Sequence, residues 1–127
     1  MSYLDALPPL NARQRIAFAD LQPCLMELPL RMHVPITGYI LWGIRTGDFL
    51  YALLSNDLML AVGRADDDNL PRLRQWCMLL YNGAPAGCFG SIGDVEGWIS
   101  RHGLADADQV NALGWSEAVE PEARVPA

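Results

Sequence analysis

Leu50, Leu53, Leu54, Leu58, Ala61 and Val62 recur at steps of three and four residues, the spacing that lines side chains along one face of an α-helix. The pattern stops near Arg64 and resumes as Leu70, Leu73, Trp76, Cys77 and Leu80, so a second amphipathic helix follows the first. No segment shows the two-residue alternation and β-branched enrichment of a half-buried strand. Together these patterns restrict the chain to the all-α class: a compact bundle of four to five short helices.

Punctuation places the remaining elements. Asn11 predicts the N-cap of a helix through Ile16, Phe18 and Leu21, ended or bent near Pro23, and Pro29 marks another break. Pro35 predicts the start of a helix carrying Ile36, Tyr39 and Ile40, and Gly43 its end. Thr46 is the expected cap of the Leu50 helix, with Asp48 in its first turn, and Ser55-Asn56-Asp57 kinks or splits that helix. Ser91, with Asp94 three residues on, caps a helix bearing Ile92, Val95, Trp98 and Ile99, and Gly103 terminates it. A short helix is expected before Asn111.

The chain of 127 residues has room for one core. Residues 1–33 read as an extended N-terminal arm and a first helix, 34–103 as the helical core, and 104–127 as a flexible acidic tail. That tail holds Asp106, Asp108, Glu117, Glu120 and Glu122 against Arg124 alone, and much of the net charge of −6 belongs to it. Such a balance disfavours direct nucleic-acid binding and suits a basic surface on another protein. All nine basic residues are arginine, which excludes a lysine Schiff base, a lysine general base and a Walker-type phosphate loop. Cys24, Cys77 and Cys88 are odd in number and widely spaced, as in a reducing cytoplasm. MSYLDALPPL lacks the basic and apolar regions of a secretory leader, and no apolar run approaches the roughly 20 residues of a membrane span.

Asp66-Asp67-Asp68-Asn69-Leu70-Pro71 is the densest cluster of carboxylates. As a calcium loop it fails, because Pro71 stands where a glycine is needed and Cys77 where a glutamate is. The expected role is a helix cap made by Asn69 or Asp68, which leaves Asp66 and Asp67 free to face a partner, and alanine at those two positions should spare the fold. Cys77, Cys88, His33 and His102 lack the paired spacing of a zinc site. Phe89-Gly90-Ser91-Ile92-Gly93 lacks the first glycine of a nucleophile elbow. No catalytic residue, metal site or cofactor is therefore expected. Trp42, Trp76 and Trp98 read as core. Trp115, among acidic residues, is either an anchor for a partner groove or a cover over the domain's own surface.

The runs GIRTGDFL (43–50), LSNDL (54–58), GRADDDN (63–69), LYNGAP (80–85) and CFGS (88–91) resemble a group of small uncharacterised proteins encoded by tailed phages and prophages. Their pattern reads GI-x-x-G-x-F-L, NDL, GRADD-x-N, LYNEAP and CWGS. The similarity covers about residues 34–103, with Gly83 and Phe89 departing from the usual acidic residue and tryptophan. It implies a phage accessory protein acting in the bacterial cytoplasm.

The resulting expectation is a non-enzymatic protein that binds and modulates a host protein with a basic surface, a bacterial defence (anti-CRISPR-like) target among them. The candidate partner-binding residues are Asp66, Asp67, Asp68, Trp115, Glu117, Glu120 and Glu122. The alternatives are a phage assembly component that acts by homo-oligomerisation, and a small enzyme using Cys88 or the aspartates.

Overall fold

The computed structural model describes residues 7–115, and among them the chain is helical with no strand. In order come α1 (Ala12–Leu25), a 3-10 turn (Leu30–Met32) running into α2 (His33–Trp42), α3 (Asp48–Leu54) and α4 (Leu58–Arg64). A second 3-10 turn (Leu70–Arg72) leads into α5 (Leu73–Met78) and a π-helical turn (Leu79–Gly83). Then follow α6 (Ile92–Ser100) and α7 (Ala107–Ala112).

Among the described residues the α-helix count is seven and not four to five, because the 50–62 stripe is cut in two and the short α7 also forms. Asn56 adopts a left-handed φ of +65°, and the Asp57 carboxylate accepts from Leu60 N at 3.1 Å to start α4 afresh. The break redirects the second half, so only Ala61 of α4 is buried and Leu58 and Val62 are exposed. Cys77 is likewise exposed, because the buried face of α5 and the π turn centres on Trp76, Leu79 and Leu80.

Other boundaries also move. α1 runs through Pro23 to Leu25, and α2 begins at His33, with Pro35 inside its first turn. Gly47, not Thr46, occupies the N-cap of α3. The Thr46 hydroxyl is buried without a hydrogen-bond partner among the described residues. Ser91 behaves as expected: its Oγ accepts from Asp94 N at 3.1 Å and donates to the Asp94 carboxylate at 3.0 Å.

The core centres on α2, whose residues from Ile36 through Trp42 are all buried, as suits a helix enclosed on every side. Trp42, Trp76 and Trp98 are interior, and the indole N–H groups of the latter two are satisfied. Trp98 Nε1 donates to the Tyr39 and Ile40 carbonyls at 3.0 and 3.2 Å, and Trp76 Nε1 to Asn69 Oδ1 at 2.9 Å. Tyr39 donates its hydroxyl to the Cys88 carbonyl at 2.6 Å, and burial pushes its phenol up.

Gly43 and Gly103 let the ends of α2 and α6 cross at backbone contact. Both have positive φ, +67° and +59°, and a Cβ on either would lie 2.7 Å from the other's backbone nitrogen. The crossing delivers residues 104–115 onto the body, where Leu104 N donates to the Leu41 carbonyl at 3.2 Å. This first part of the acidic segment is thus packed.

A polar clasp holds it there. Gln14, fully buried, donates to the Leu41 carbonyl at 2.8 Å, while its Oε1 accepts from Asn11 N at 2.9 Å and Gln109 Nε2 at 2.8 Å. Asn11 Nδ2 donates to the Leu104 carbonyl at 3.0 Å and to Gln109 Oε1 at 2.9 Å. Asn11–Gln14 and Asp106–Gln109 are both capping boxes, so one network caps α1 and α7 and ties them to α2.

Candidate functional site

The aspartate cluster is a structured turn. Asp66 Oδ1 accepts from the backbone N–H of Asn69 at 2.9 Å and of Asp68 at 3.1 Å, and its Oδ2 pairs with the Arg31 guanidinium. The Asn69 N–H, reinforced by Arg31, holds the Asp66 carboxyl below the usual carboxylate range. Asp68 lies 3.4 Å from the same guanidinium. The expected roles are therefore reassigned. Asn69 makes no side-chain cap and instead accepts from Trp76 inside the core, while Asp66, expected to be spare, organises the turn. Only Asp67 stands exposed with no hydrogen bond or ion pair among the described residues.

Trp115 packs edge-on against Trp42 (centroids 6.1 Å apart, planes at 85°) and stacks on His102 at 5.1 Å. With Ile44 and Ile99 it borders a hollow of about 350 Å³. In this arrangement it covers the domain's own surface. Glu117, Glu120 and Glu122 lie outside the described residues.

Cys88 is fully buried, and burial pushes its thiol up to about 12, so it carries no thiolate near neutrality. His33 Nε2 lies 3.1 Å from the Leu28 carbonyl. No group of three or more His, Cys, Asp or Glu side chains that could hold a metal ion occurs among the described residues, and no helix there is long and apolar enough to cross a membrane.

A different site emerges where the stripe breaks. Leu53, Leu58, Leu80 and Phe89 wall a cleft of about 260 Å³, with Asn56, Asp57, Cys77 and Tyr81 around it. Two local irregularities build it: the left-handed Asn56, and the π turn that carries Tyr81 into solvent, 82 % exposed. π turns and non-glycine left-handed residues are enriched at functional positions. Of the wall residues Leu58, the first residue of α4, is itself 60 % exposed, and its chain neighbour Met59 is 85 % exposed. Sequence reading missed this site because it assigned Leu58 to the core face. The signal was Ser55-Asn56-Asp57, a turn-forming triplet inside an apolar stripe.

Among the described residues the border of the cleft carries one charged residue. No arginine borders it, the Asp57 carboxylate does, and a Cβ on Gly90 would lie 2.9 Å from the Asp94 carboxylate. Two arginines elsewhere are paired: Arg64 with Asp48 at 3.2 Å, and Arg45 bidentate with Glu96 at 2.8 and 2.9 Å. Compared with known proteins, the chain matches no family model, no curated protein and no solved structure.

Proposed function

We propose that this is a non-enzymatic, phage-type accessory protein that binds a bacterial host protein and modulates it. The observation that carries the reading is the cleft beside α4. The exposed Leu58 and Tyr81 side chains border a concave apolar floor, the surface chemistry of a protein-docking site. The net charge of −6 favours a partner with a basic surface, drawn in by long-range attraction. The phage-like runs between residues 34 and 103 point to a host setting, with a defence nuclease or surveillance complex as the target class.

The burial of Cys88 and the anchoring of Asp66 and Asp68 by Arg31 weigh against the enzymatic alternative. The test is capture of a host protein by the tagged full chain from bacterial lysate, repeated over rising salt. Specific capture that weakens with salt supports the reading, and absence of any host partner overturns it. The exposed Leu58 and Met59 also suit a self-associating assembly component. Light scattering separates the two, since a stable homo-oligomer favours the assembly role.

A further inference from the structure

Building on that docking reading, we infer that the cleft between Asn56–Leu58 and Tyr81 receives one large apolar side chain of a partner protein, flanked there by arginine or lysine. Size argues first. Small-molecule pockets run from about 300 to 1,000 Å³ and enclose most of their ligand. At about 260 Å³ and open to solvent beside an exposed Tyr81, this cleft suits a single anchoring side chain.

Wall chemistry argues second. The side chains of Leu53, Leu58, Leu80 and Phe89 offer no complement to a polar group. Charge argues third. The border carries Asp57 and no arginine, with Asp94 beside the wall residue Gly90, so an acidic flank would meet repulsion and a cationic flank attraction. A second copy of this chain fits poorly, because it would bring the same carboxylates to the interface.

The test uses the full chain and two labelled synthetic peptides, each with a central tryptophan between leucines. One is flanked by arginines and the other by glutamates, and binding is read by fluorescence anisotropy. The arginine peptide should bind saturably and lose affinity with salt. Tyr81→Ala should weaken it about tenfold or more, as removal of a central aromatic contact does. Asp57→Asn keeps a capping side chain for Leu60 N and removes only the charge, so a loss of about threefold with a flatter salt dependence is expected. Circular dichroism on both variants checks that they fold.

Equal affinity for the glutamate peptide overturns the inference, as does indifference to Tyr81→Ala. A wild-type dimer that Tyr81→Ala converts to monomer also overturns it, because the occupant is then a second copy. Host capture that survives both substitutions rejects this site while the docking function stands. Arginine-peptide binding without host capture does the reverse.

Discussion

At Gln14 the chain buries polar groups and gives each a partner, whereas at the Asn56–Tyr81 cleft it exposes apolar groups and gives them none. The clasp joins α1, α2 and α7 through amide side chains whose donors and acceptors meet one another or backbone groups. Such a network specifies one arrangement, because any slip would leave buried polar atoms unpaired. At the cleft, Leu58, Met59 and Tyr81 contribute little burial to the folded state. The first region is explained by folding. Folding alone does not account for the second, and the proposed docking role would.

The contrast is broken most severely at the crossing that carries the chain into the clasp. Gly103→Ala would put a methyl group 2.7 Å from Gly43 N and 2.8 Å from the Ile40 carbonyl, at a φ of +59°. Backbone cannot yield as a flexible side chain can, so a loss of about 4 kcal/mol is expected in urea unfolding, with residues 104–115 displaced. Trp115 would then leave Trp42, and tryptophan fluorescence follows that step.

Gln14→Leu attacks the clasp itself. It keeps the volume roughly constant but strips partners from Asn11 N and Gln109 Nε2 and one partner from the Leu41 carbonyl. Gln109 Nε2 retains the Pro9 carbonyl, and the Leu41 carbonyl retains Leu104 N. The expected cost is about 2–4 kcal/mol, less than the sum of three fully orphaned groups. Amide exchange should speed up at α7 before it does at α2.

Much of this architecture was legible in the sequence. Three- and four-residue spacing indicated the helical class, and Asn11, Gly43 and Ser91 stand at the expected helix ends because capping is decided within a few residues, whereas at the end of α6 His102, at a φ of +61°, takes the left-handed position expected of Gly103, which follows it. What escaped depends on distance in space. Asn69 reads as a cap until Trp76 arrives in the core to claim its carbonyl oxygen. Asp66 reads as spare until Arg31, far away in sequence, comes alongside. Gln14 shows its capping-box partner locally, but nothing near it announces Gln109 or Leu41. The cleft was hidden for the opposite reason: periodicity reports which face a helix offers, not whether anything lies opposite it.

A milder probe uses pH, and it acts on ion pairs that belong to neither region. Arg45 holds the Glu96 carboxyl below its ordinary value of 4.5, with Tyr51 adding a hydrogen bond at 2.6 Å. A carboxylate depressed by folding contributes fully above its unfolded value and loses that contribution as pH falls through its folded one. Urea unfolding should therefore show stability flat near neutrality and falling as pH drops below 4.5, with Asp66 acting in the same sense. Glu96→Gln should be less stable at neutral pH and show a shallower decline in acid. An unchanged profile would mean that this pair is no more favourable than the solvated groups.

The smallest expected effect on stability is the one that sharpens the comparison most. Met59→Ser and Tyr81→Ala remove large apolar groups that already face solvent, 85 % and 82 % exposed. Surface changes of this kind alter unfolding free energy by no more than about 0.5 kcal/mol. Trimming Leu53 or Leu80, buried walls of the same cleft, should instead cost about 2–4 kcal/mol. If the exposed pair proves neutral in thermal and urea unfolding while partner binding falls, these residues serve contact and not the fold. If they prove as destabilising as Leu80→Ala, the cleft is part of the monomer's own core and the distinction between the two regions collapses.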